Sequence, residues 1–215
     1  MLQQNVIINY YSDEGVHYGD DNNKESNNNH KKGTTKPSVL SSEVIVVKDE
    51  DQRQQQYYRD KLLQLTDFNE AFELAKSTIE TKFKMHRAGL SLILQGLPTN
   101  VGAYHILGSN LIIVNKRILD IIRKYKSHEE YNSYLFMVLV HEYLHSLGVI
   151  DEIHVRNMTY ALLSSLLGEG HIATKMARYQ PWDLFPELRL FQNNSFEQKF
   201  ETIKNFDKTT QSYIG

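Results

Sequence analysis

The sequence predicts an α/β fold of the α+β kind: a small mixed sheet packed on helices, with one buried helix at its centre. Three observations point to it. Phe68, Phe72, Ala75, Ile79 and Phe83 recur at helical spacing and form one apolar face. Three short aliphatic runs, at residues 90–94, 103–107 and 111–114, follow with turn residues between them. Residues 134–140 are then apolar without a break inside a helical pattern, which marks a helix buried on several sides.

Along the chain, residues 12–36 are dominated by Asn, Asp, Lys, Gly and Ser and bury too little apolar surface to offset their ordering entropy. Residues 1–42 are therefore expected to be mostly disordered, ahead of one domain over 43–192 and a polar tail over 193–215. Val44-Ile45-Val46-Val47 is expected as a short strand on a sheet edge, ended by the polar run at 49–56. A helix is predicted from Asp67 to about Met85, then a strand at 90–94. Residues 103–107 and 111–114 form a hairpin through Gly108-Ser109-Asn110. A helix at 116–125 leads to Ser127-His128-Glu129-Glu130, a capping box that opens the buried helix; this runs to about Leu147, where Gly148 stops it. Residues 151–167 give another helix, with Val155, Met158, Leu162 and Leu166 inward. A short helical stretch at 172–178 and the aromatic segment at 181–186 cover apolar surface, and a loosely held helix or tail closes the chain.

Composition excludes several functions. A formal net charge of −2, from 24 basic and 26 acidic residues, gives no electrostatic reason to expect nucleic acid or an anionic membrane surface. The longest apolar run, 134–140, is far too short to span a bilayer. The chain has no cysteine, so disulfides, thiolate metal sites and cysteine nucleophiles are excluded, and a reducing compartment fits. Residues 1–8 lack the basic and apolar regions of a signal peptide, so a cytoplasmic protein is expected.

The chemistry concentrates at the end of the buried helix, in His141-Glu142-Tyr143-Leu144-His145. This is the pattern H-E-x-x-H. On a helix its two histidines stand about 40° apart in projection with roughly 6 Å of rise, so both imidazoles can reach one metal ion. Glu142 lies at the edge of that face, placed to work on a metal-activated water without being a ligand. With nine histidines in 215 residues, chance produces the pattern about 3% of the time, so the context has to carry the reading. It does so through the buried helix, where an unpaired ionised Glu142 would be costly without a metal or a water-lined cleft. His105, alone in a hairpin strand, is expected to be structural.

These residues resemble the zincin metallopeptidases, whose sheet edge holds an extended substrate beside a zinc ion. The layout from Ala103 to His145 is similar to small SprT-like zincins, while His145-Ser146-Leu147-Gly148-Val149-Ile150-Asp151 resembles the metzincin extension in its aspartate form. The likeness covers roughly residues 67–171, and only the eleven residues from His141 to Asp151 are specific. It implies zinc, held by His141, His145 and a third ligand, with water in the fourth position and Glu142 as general base. Asp151 is the first choice for that third ligand, six residues beyond His145 and after the turning Gly148; the competing role for it is to N-cap the next helix. His171 is the alternative, as in the SprT-like arrangement. His154, Glu152 and Glu169 follow, the glutamates standing for a gluzincin-like arrangement. Met158 and Met176, the two places for a metzincin methionine turn, read as core and surface positions. The implied activity is hydrolysis of a peptide or protein substrate. The rival reading is a non-catalytic helical interaction module, metal-stabilised or metal-free.

Overall fold

In a computed structural model, which describes residues 5–9, 40–179 and 181–207, the chain begins with β1 (Asn5–Asn9), α1 (Leu40–Leu63) and α2 (Phe68–Phe83). There follow β2 (Ser91–Gln95), β3 (Val101–Ile106), β4 (Leu111–Asn115), α3 (Lys116–Tyr125) and α4 (His128–Ser146). The rest is α5 (Glu152–Leu167), α6 (Ile172–Arg178), two single turns α7 (Pro181–Leu184) and α8 (Glu187–Leu190), and β5 (Phe200–Ile203). The strands form one mixed sheet in the order β1-β3-β4-β2-β5, as the sequence predicts in kind. No described helix is long and apolar enough to cross a membrane. The low-complexity stretch at 12–36 lies outside the described residues.

β4 lies at the centre of the sheet, and Ile112, Ile113 and Val114 are buried on both of its faces, as a central strand requires. It runs parallel to β2, with Leu92 opposite Ile112 and Leu94 opposite Val114, and antiparallel to β3 across the predicted hairpin. The helices cover one face. α2 opens on Asp67, whose carboxylate accepts a hydrogen bond from the Glu70 N–H at 2.8 Å, and it buries Phe72, Ala75 and Ile79 along its apolar stripe.

α4 is the axis of the domain. Its capping box is formed on both sides, with Ser127 Oγ taking the Glu130 N–H and the Glu130 carboxylate taking the Ser127 N–H at 2.8 Å. Every residue from Tyr131 to Ser146 is buried, because α2, α5, α6, α1 and the sheet enclose the helix. Polar groups along it are used to tie ends of other elements. Asn132 donates to the carbonyls of Leu62 and Leu65 at the end of α1, at 2.9 and 3.0 Å, and the Tyr143 hydroxyl donates to the Arg87 carbonyl at 3.0 Å. Arg87 in turn donates to the Ser146 carbonyl at 2.6 Å and the Ser109 carbonyl at 2.6 Å, fixing the C-terminal end of α4 against the β3–β4 hairpin.

Three sequence expectations about the fold fail. Residues 5–9, inside the segment 1–42 expected to be mostly disordered, pair with β3 as β1, and α1 begins at Leu40, ahead of the domain start expected at 43. Val44-Ile45-Val46-Val47 is not a strand but part of α1. The run of Asp, Glu, Gln and Arg after it consists largely of good helix formers, so it propagates a helix through four β-branched residues instead of ending a strand. Residues 193–207 are not a loose tail. β5 pairs antiparallel with β2, Arg117 donates to the Ser195 carbonyl at 2.5 Å and pairs with Glu197 at 2.8 Å, and the strap ends in the core. There the Phe206 ring, 2% exposed, stacks on Phe72 at 4.1 Å between centroids, and Asp207 pairs with buried Lys76 at 2.7 Å while accepting from the Leu90 N–H. The domain boundary expected at 192 thus falls inside the packed unit. Phe206→Ala is expected to cost about 3–5 kcal/mol of unfolding free energy, measurable by urea denaturation, whereas truncating a loose tail would cost nothing.

Candidate metal centre

At the C-terminal end of α4, helical spacing brings His141 and His145 together as the sequence predicts, with their Nε2 atoms 3.1 Å apart and both side chains buried. The helix then stops abruptly. Gly148 takes φ +97°, a conformation that penalises any Cβ, and its N–H bonds the His145 carbonyl at 3.0 Å. This turn points the Val149 carbonyl back at His145 Nδ1, 2.8 Å away. A carbonyl only accepts, so Nδ1 carries the proton, and a neutral His145 ring presents its Nε2 lone pair to the centre.

The same turn starts α5 alongside the histidines. Asp151 is its N-cap and accepts from the His154 N–H at 2.7 Å. The side chain that reaches the histidines belongs to the next residue: Glu152 Oε2 lies 3.3 Å from His141 Nε2 and 3.2 Å from His145 Nε2. Among the described residues, His141, His145 and Glu152 are the group whose donor atoms converge, all within 4.8 Å of one another.

The structure therefore replaces Asp151 with Glu152 as the third member. Asp151 is exposed, its carboxylate is taken up by an orphan N–H of α5, and it is not in the converging group; one step along a helix turns the side chain by about 100°. His171 is also elsewhere. It caps α6 through Nδ1, which accepts from the Ala173 N–H at 3.2 Å, and its Nε2 faces Glu129 at 3.5 Å. Glu129 sits in the first turn of α4, roughly 18 Å along the helix from His141. Burial, with Arg59 and Lys175 nearby, pushes the His171 imidazole down to about 4. His154 is exposed, and Glu169, also exposed, takes hydrogen bonds from Tyr160 and Ser164. His105 is buried in β3, with Nδ1 donating to the Leu111 carbonyl at 2.9 Å. Met158 and Met176 lie within α5 and α6.

Glu152 carried a weak signal in the sequence. Once Asp151 is read as spent on capping, the first residue of the new helix is the nearest carboxylate left to turn inward.

The electrostatics separate two carboxylates. Burial alone would raise Glu152, but hydrogen bonds from His141 and His145, with their charge when the rings are protonated, outweigh it and hold the group at about 2; when the rings are neutral ligands, the charge of a bound cation would take that place. Glu142 is the opposite case. It is fully buried, neither carboxylate oxygen has a hydrogen-bond partner among the described residues, and burial followed by the charge of Glu152 drives it well above the usual carboxylate range. Burial also lowers His141, against the hydrogen bond that its protonated ring donates to Glu152, favouring the neutral ring that a metal ligand must be.

The donor set fits a metal ion. Ligand atoms held about 2.0–2.1 Å from a shared tetrahedral ion lie about 3.3 Å from one another, and the three separations here are 3.1, 3.3 and 3.2 Å. Two imidazoles and one carboxylate leave a fourth position open, the composition of catalytic rather than structural zinc sites. Of the three side chains, Glu152 is the one open to solvent, at 36% exposed. No protein-family model, no curated protein and no solved structure matches the chain.

Proposed function

We infer that the protein is a zinc-dependent peptidase with a zincin-like domain, acting on a peptide or protein substrate. The observation that carries this is the convergence of His141, His145 and Glu152 at tetrahedral spacing beside Glu142, a buried carboxyl with no hydrogen-bond partner among the described residues. The third ligand on the helix after the motif supports a gluzincin-like arrangement with an unusually short connection, rather than the metzincin aspartate form. A cysteine-free chain needs no oxidising compartment, and a cytoplasmic location belongs to the same proposal.

In this site bound zinc would supply a Lewis acid that acidifies a water and polarises the scissile carbonyl. Glu142 accepts the proton from the attacking water on a carboxylate oxygen and passes it to the leaving amine. Burial raises its proton affinity above that of an ordinary carboxyl, which favours taking the proton from the water. Glu152 stays ionised throughout, and the Val149 carbonyl keeps His145 in the ligating tautomer. Stripping the metal with a chelator is expected to abolish hydrolysis of fluorescein-labelled casein, and one equivalent of zinc to restore it. Hydrolysis that survives complete metal removal would refute the reading.

A further inference from the structure

The geometry points to β1 as a resident blocker of the substrate edge: residues 5–9 of the chain lie antiparallel along the outer side of β3, where an extended substrate would have to pair, and hold the peptidase in a self-occupied state. The inference rests on the peptidase reading above and adds its regulation. β3 is bonded on its inner side to β4, and without β1 its outer row of N–H and C=O groups would be an open sheet edge, the surface to which extended peptides add as a further strand. That edge lies on the strand against which α4 packs more extensively than against any other, and Arg87 ties the C-terminal end of α4 to the β3–β4 hairpin, beside which Asn5 of β1 stands opposite Ile106.

The hold is of the reversible kind. β1 has five residues, its sheet pairing is with β3 alone, and the register breaks between Ile7 and Asn9. Strands this short at a sheet edge are marginal by themselves and open at low free-energy cost. β1 belongs to the same chain as β3, so its pairing is intramolecular and competes at an advantage with a dilute peptide. Its departure leaves β3 paired to β4 and α4 enclosed, so release would expose the edge without unfolding the domain.

The test uses the full chain carrying Val6→Pro or Ile7→Pro. Adjacent strand residues direct their N–H groups to opposite sides, so one of the two removes a ladder donor. The probe is a fluorescein-labelled synthetic peptide of residues 3–11, followed by anisotropy, alongside casein hydrolysis, zinc content and thermal unfolding. At least one variant should bind the peptide about tenfold more tightly than the parent chain and cleave casein about tenfold faster or more, with zinc content and midpoint unchanged. Unlabelled peptide should return its rate toward the parent's. Two variants that match the parent in peptide binding and in rate overturn the proposal, as does tighter peptide binding with an unchanged rate. A parent chain that binds zinc and cleaves casein while both variants behave as it does defeats the blocker alone; a parent chain without zinc defeats the peptidase reading and the blocker with it.

Discussion

Glu142→Gln is expected to leave zinc bound and to reduce kcat/KM for casein or a fluorogenic peptide by at least about 10²-fold. The amide keeps the size and shape of the side chain but cannot accept the water's proton. Because Glu142 is fully buried and its oxygens have no protein partner among the described residues, the substitution breaks no hydrogen bond and removes a costly buried carboxyl. Folding stability should therefore hold or rise while activity collapses. That opposite movement is the signature of a catalytic group maintained at the expense of stability, and a loss of both together would make Glu142 a structural residue.

The second large effect concerns Glu152. Glu152→Ala leaves the two histidines with no third donor and should lose zinc to a mild chelator that does not strip the parent chain, with the zinc-dependent gain in thermal stability disappearing too. Asp151→Ala removes only the cap bond to His154 and should cost about 1 kcal/mol of stability with zinc retained. His171→Ala, whose site lies at the far end of α4, should likewise retain zinc. Zinc lost from Asp151→Ala and kept by Glu152→Ala would reverse the assignment of the third ligand.

What the sequence reveals divides by how local the cause is. The capping box at Ser127, the all-round apolar run before His141 and the stop at Gly148 are decided within a few residues, so α4 and its two histidines can be read without a structure. The Asp67 cap and the Phe72, Ala75, Ile79 stripe make α2 equally plain. β5 is the contrary case. Its four residues, Phe200 to Ile203, are exposed or half-buried with no buried apolar face, and what holds it is a ladder to β2 together with Arg117, Phe72 and Lys76, all distant in sequence. Val44 to Val47 mislead for the same reason, since the helix-forming run beyond them decides their conformation.

The third ligand shows how fine the distinction can be. Asp151 and Glu152 are neighbours, both acidic and both at the mouth of the same turn, and spacing from His145 alone favours the first. The outcome depends on which of them the new helix needs as its cap, and that follows from the phase at which the Gly148 turn delivers α5. Helix geometry then brings Glu152 to the histidines at 3.2 and 3.3 Å.

The most direct measurement of the central claim is elemental analysis of the purified chain after dialysis against metal-free buffer, with Glu152→Ala treated identically. The account predicts one zinc per parent chain and none in the variant. A parent chain free of zinc that also fails to take it up when zinc is supplied would contradict the metal centre and the peptidase reading built on it.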